Sequence, residues 1–299
     1  MIFKDSGIIK DIQTQIQTKN QKSTFRPIVP KSLSKKFHTK GRFLVYRIYD
    51  LIVLSIALPV MALICVVSWL TLRKKRLILF RIIAVFILVI EVYKQVGYLI
   101  YGYDFWALPF HVCSLFLVSL PLAVFLKQGS RASNFFYSVS LMLGLVVTLA
   151  VLIAPSMILF ESWWLFSLAH YAYSPFRTSI AYHSVIFHFA VSLFFLLACI
   201  FKPYKPKFLD FVFGLVLYIV FLVIAAILAT ALNVNFAALL WIDFDFMNQL
   251  RENTSLFVYQ FTMILLYTSL TFLAGLVIYF VSKFFSRKKS KTVILKEQS

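Results

Sequence analysis

The sequence predicts an all-α fold, a polytopic membrane bundle of seven transmembrane helices, on three observations. Of its 299 residues 61% are hydrophobic and only 14% charged, with a mean hydropathy of +0.87, far from the roughly half-apolar composition of soluble domains. Seven stretches reach the length of about 20 mostly apolar residues that a bilayer crossing needs, at roughly 44–70, 77–100, 108–126, 135–160, 180–201, 208–232 and 256–282. The runs are continuous and do not alternate, which makes them helices and not barrel strands, since backbone in lipid must satisfy its own hydrogen bonds.

The segments follow in order. Residues 1–42 are polar, basic and aperiodic and bury too little apolar surface to fold alone, so they read as a disordered tail. The first apolar run begins only at Phe43, which excludes a secretory signal peptide. Residues 43–285 form the membrane domain, and 286–299 a basic cytoplasmic tail. The longest gaps, 161–179 and 233–255, are too short for a soluble domain, and there is no internal repeat.

The formal net charge of +19 is concentrated at the ends, with 10 basic residues in the first 42 positions and 6 after Val281. Flanking apolar spans, this charge speaks for topology and anionic lipid, not for nucleic acid. Lys74, Lys127, Lys205 and Lys288 mark basic loops that are expected in the cytoplasm of the cell, the C-terminus included. The alternate loops 101–107, 161–179 and 233–255 carry few positive charges and are expected outside. Seven spans then place the basic N-terminal tail outside as well. Either the first span, interrupted by Pro59, does not fully cross, or the tail is translocated despite its charge.

Ionisable groups at membrane depth are expensive and mark functional candidates. On the second span Glu91, Lys94, Gln95 and Tyr98 fall within about 100° of one another at 100° per residue, so they form one polar face. A Glu91–Lys94 pair that merely satisfies itself between helices is the competing reading. The third span opens with Leu108-Pro109-Phe110-His111-Val112-Cys113-Ser114. Pro109 is expected at the first helical position, with His111 and Cys113 in or just past the first turn, about 200° apart, so that they cannot face one point on a regular helix. Cys113 is then either a thiol activated by the helix end or a small buried hydrophobe.

On the fifth span Arg177, Ser184, His188 and Ser192 share a stripe about 80° wide, while His183 points elsewhere and is expected only to bond a neighbouring helix. His183 and His188 are five apart and do not form the i, i+4 metal pair. Cys65, Cys113 and Cys199 stand singly, which excludes a disulfide framework and a zinc finger; neither metal nor cofactor is expected. Asn235 follows the sixth span. His111, Cys113, His188, Glu91 and Asn235 come to a common outer depth under this topology, which suggests a pocket open to the outside or to the outer leaflet.

With this Leu-Pro-apolar-His-apolar-Cys-Ser motif the chain resembles the bacterial YwaF-like family of seven-span membrane proteins. Glu91 with Tyr93 and Gln95, Pro155 at the end of the fourth span, Ser184 through His188 and Asn235-Phe236 match it too. The resemblance covers about residues 44–282. The long basic tail before Phe43, and His183 in place of a Gln, depart from the pattern. The family is related to the eukaryotic transmembrane protein 164 group, whose activity is acyl transfer into ether phospholipids by a cysteine and a histidine. His111 and His188 transfer as positions, and Cys113 within the bacterial pattern.

The resemblance implies phospholipid acyl transfer or hydrolysis, with Cys113 as nucleophile, His188 or His111 as base and Glu91 orienting a histidine; the polar faces and the common depth put Lys94, Gln95, Tyr98, Arg177, Ser184 and Asn235 in binding roles. The partners are then membrane phospholipids. Against an acyl enzyme stands the lack of a Gly-rich oxyanion turn in a chain with 8 glycines. A proton-coupled transporter or ligand-binding protein built on Glu91, His111 and His188, or an envelope accessory protein in which the polar cluster only packs helices, are the alternatives.

Overall fold

The computed structural model describes residues 48–72, 75–159, 175–202, 204, 207–242 and 245–297, and the side chains of all these except 48, 156–157, 175–178, 245 and 285–297. The chain divides into two units, Met1–Phe43 and Leu44–Ser299. The basic tail expected at 1–42 and most of the 161–179 loop lie outside the described residues.

Among the described residues the second unit contains helices and no strand, which confirms an all-α membrane protein. Its long helices are α1 (Ile48–Thr71), α2 (Arg76–Tyr101), α3 (Phe116–Phe125), α4 (Arg131–Ile153), α5 (Pro175–Phe201), α6 (Phe208–Leu232) and α7 (Leu256–Glu297). Five of them contain stretches long and apolar enough to cross a membrane: Tyr49–Thr71, Arg131–Ile153, Ser179–Phe201, Phe208–Leu232 and Leu256–Phe284. The 26-residue α2 is about 39 Å long at 1.5 Å per residue, but carries Arg81, Glu91 and Lys94. The helix α7 continues to Glu297, through the segment the sequence sets apart as a tail.

The third expected span departs most from the sequence reading. No helix starts at Pro109. Gly102, at φ 114°, ends α2, and short 3₁₀ turns follow at Phe105–Ala107 and Val112–Leu115 before α3 begins at Phe116. Leu108, at φ −57° and ψ 141°, is held extended by the ring of the proline after it. His111 is also extended, at φ −77° and ψ 153°. The carbonyls of this irregular stretch find side-chain partners, Gln95 of α2 on Ala107 at 2.7 Å and His111 Nε2 3.1 Å from that of Trp106, as backbone outside a helix requires. The apolar helical stretch here is only Val112–Phe125.

The core is organised around α4, which packs on α3, α5, α6 and α7, while α2 packs on α3 and α5. Close approach has a cause at Gly144, where an added Cβ would sit 3.1 Å from the Phe195 Cβ of α5. Phe80 of α2 meets Phe194 and Phe201 of α5 edge-on. Buried hydroxyls pair across helices, Ser140 with Ser119 at 3.0 Å and Ser133 with the Ala123 carbonyl at 2.7 Å, as polar groups in lipid must find protein partners. The helices α1, α6 and α7 turn broad apolar faces outward, with Leu63, Ile227 and Leu273 among the exposed side chains.

Candidate functional site

The centre of the site is a charged chain running from α2 to α5. Glu91 and Lys94, one turn apart, are both buried, and the Lys94 Nζ lies 2.7 Å from Glu91 Oε1. Gln95, at i+4 from Glu91, donates its amide to the same oxygen at 2.8 Å and to the Ala107 carbonyl at 2.7 Å. The second carboxylate oxygen lies 3.2 Å from His183 Nε2. Three donors on one carboxylate are what a buried charge requires. Tyr98, one turn on, is buried with Ala107 and Ile180, so the whole polar face of α2 is turned inward.

His183 makes the bond to a neighbouring helix that the sequence leads one to expect, and its partner is Glu91; what the sequence reading left out is its place in the charged chain. A signal was present. Ile180, Phe187, Val191 and Phe194 are buried on one face of α5, and His183 falls in that series at helical spacing. A histidine inside an apolar stripe that faces a helix carrying Glu91 and Lys94 has few other partners.

His111 comes from the irregular connection after α2. Its Nε2 lies 3.1 Å from the Trp106 carbonyl, and its ring is 4.7 Å from that of Trp106 and 5.8 Å from that of Phe236. His188, on α5, places Nδ1 2.7 Å from the Ser184 carbonyl. A carbonyl only accepts, so each of these ring nitrogens carries the proton. The lone pair of a neutral ring is then on His111 Nδ1 and on His188 Nε2. His188 stands five residues beyond His183 on α5, and Cys113 two residues beyond His111. Cys113 is half-buried in the Val112–Leu115 turn. Glu91, Lys94 and His183 thus form one buried chain, with His111 and Cys113 on the adjoining irregular segment and His188 farther along α5.

The other expected residues divide. Ser184 donates to the Ile158 carbonyl at 3.2 Å. Ser192 is buried, and its hydroxyl has no hydrogen-bond partner among the described residues. Asn235 is occupied by its own loop: its amide donates to the Trp241 carbonyl at 2.9 Å and its oxygen accepts the Leu240 N–H at 2.9 Å. It thereby holds the turn that presents Phe236 to His111, and in that turn Ala237 and Ala238 adopt left-handed φ of 50° and 57°. The side chain of Arg177 lies outside the described residues. Among the residues described, no group of three or more His, Cys, Asp or Glu is arranged to hold a metal ion.

Residues 43–283 match the model of the TMEM164 family. No curated protein and no solved structure matches the chain.

Proposed function

The chain belongs to the TMEM164 family, and on that premise we propose that it is a seven-span protein of the cell membrane, from the bacterial YwaF-like branch, that transfers or hydrolyses phospholipid acyl chains. The observation that supports this reading is the buried Glu91–Lys94–His183 chain, which Gln95 ties to the irregular segment that carries His111 and Cys113. In this reading α2 and the segment 108–125 supply the two crossings beyond the five apolar ones, and the C-terminus is cytoplasmic. The acyl donor is then already dissolved in the solvent that surrounds the site.

The Cys113 thiol gives its proton to the lone pair of His188 Nε2, which the Ser184 carbonyl keeps available by holding Nδ1–H. The thiolate attacks the ester carbonyl. Lys94, on the buried face of α2, stabilises the oxyanion in place of a glycine turn. Collapse breaks the ester C–O bond, and the histidine returns the proton to the leaving lysophospholipid oxygen. An acceptor hydroxyl, or water, then opens the thioester by the reverse proton path. Glu91 is a positioning residue, which fixes Lys94 and His183 at once.

A proton-coupled binding site is the second reading. It draws on the fact that Glu91, Lys94 and His183 form a continuous chain that Cys113 does not touch. Incubation of the purified protein with labelled phospholipid separates the two: fatty-acid release or transfer that Cys113→Ala and His188→Ala both abolish supports the enzyme, and turnover by neither wild type nor variant refutes it.

A further inference from the structure

At the end of the bundle opposite this site, where α4 and α6 begin, lies a pocket of about 440 Å³ lined by Arg131 and Asn134 of α4, by Lys207 in front of α6, and by Leu209, Asp210 and Phe213 of α6. We propose that it binds the phosphodiester headgroup of an anionic phospholipid. Arg131 and Lys207 are exposed and form no ion pair among the described residues. They are the two free positive charges of the pocket.

The one acidic wall is already engaged. Asp210 accepts the Tyr204 hydroxyl at 2.7 Å, and that oxygen in turn receives the Lys207 N–H at 3.1 Å and lies 2.6 Å from Ser138 Oγ. Burial holds the Tyr204 phenol well above the usual range for tyrosine, so it remains a donor to Asp210. Two cations against one hydrogen-bonded carboxylate leave a net charge of one, which matches a singly charged phosphodiester.

The apolar surface leading away from the pocket distinguishes a lipid from free phosphate. Leu209, Phe213, Val216 and Val220 are all exposed; spaced i, i+4, i+7 and i+11, they form one stripe down α6. At 1.5 Å per residue the stripe runs about 17 Å, close to the depth of one leaflet of a hydrocarbon core about 30 Å thick. A headgroup held at Arg131 and Lys207 lays its acyl chain along that stripe.

The test uses the purified full chain in neutral detergent, with lipid retention read by native mass spectrometry. Dioleoyl-phosphatidylglycerol is expected to bind, and dioleoyl-phosphatidylcholine and chain-free glycerol phosphate to bind far more weakly. Arg131→Gln with Lys207→Gln should weaken phosphatidylglycerol binding roughly thirtyfold, from about 1 kcal/mol per basic contact. Lys127→Gln, on the same loop but outside the pocket, should leave it unchanged. Equal binding by the double variant and the wild type overturns the site. Equal loss in Lys127→Gln overturns it in favour of diffuse attraction, and glycerol phosphate binding as tightly as the lipid overturns the lipid assignment.

Discussion

Replacing Glu91 by Gln leaves the Lys94 ammonium, whose side chain is 6% exposed, without the carboxylate that sits 2.7 Å from it. Two estimates of the loss agree. At an effective dielectric of 20, a pair of unit charges about 4 Å apart is worth about 4 kcal/mol, and breaking a buried pair by removing one partner costs about 3–5 kcal/mol. The new amide also turns a donor toward either Lys94 or His183. Removing both charges in Glu91→Gln with Lys94→Met should restore stability to within about 1 kcal/mol of wild type, because no buried charge is then stranded. On the other carboxylate oxygen, His183→Gln keeps a donor for Glu91 and should be nearly silent, whereas His183→Leu should cost about 1–3 kcal/mol. The assay is equilibrium unfolding by sodium dodecyl sulfate in mixed micelles. A Glu91→Gln loss below about 1 kcal/mol, or a double variant as unstable as the single one, would show that Lys94 reaches water and that the charged chain is not a buried unit.

Two further outcomes are expected. Ala237→Gly and Ala238→Gly, at left-handed φ of 50° and 57°, should each stabilise by about 0.5–1 kcal/mol in the same assay, the relief of left-handed strain being partly offset by the greater chain entropy of glycine; a loss instead would mean these φ values are not populated. In intact cells an impermeant maleimide should label cysteines introduced at Tyr103 and Asn253 but reach one at Lys127 only after permeabilisation, and the reverse pattern inverts the topology.

Much of the bundle is legible from hydropathy, because lipid forces continuous apolar runs into helices: the sixth expected span, 208–232, coincides with Phe208–Leu232. The inward polar face of α2 is legible for the same kind of reason, since 100° periodicity decides which residues of one helix share a side. What periodicity does not decide is which side of one helix meets which side of another, so it leaves the partner of His183 on the neighbouring helix unnamed. The segment after Gly102 escapes it. A proline after an apolar residue is compatible with a helix start, and the bonds that hold the irregular path, from Gln95 to Ala107 and from His111 to Trp106, one of them reaching in from α2, do not show in residue type. Asn235, which sequence alone places in the binding set, spends its side chain on the Leu240 and Trp241 backbone, a local bond that residue type does not announce.

The most direct test is to look for the acyl group on the chain itself. Wild-type protein reconstituted with labelled phospholipid and quenched early should carry a hydroxylamine-sensitive acyl adduct that peptide mapping places on Cys113, and on neither Cys65 nor Cys199. The adduct should be absent from His188→Ala. Lipid turnover that persists in Cys113→Ala, with no adduct on the wild type, would contradict covalent catalysis and leave the histidines acting on water or on a bound proton.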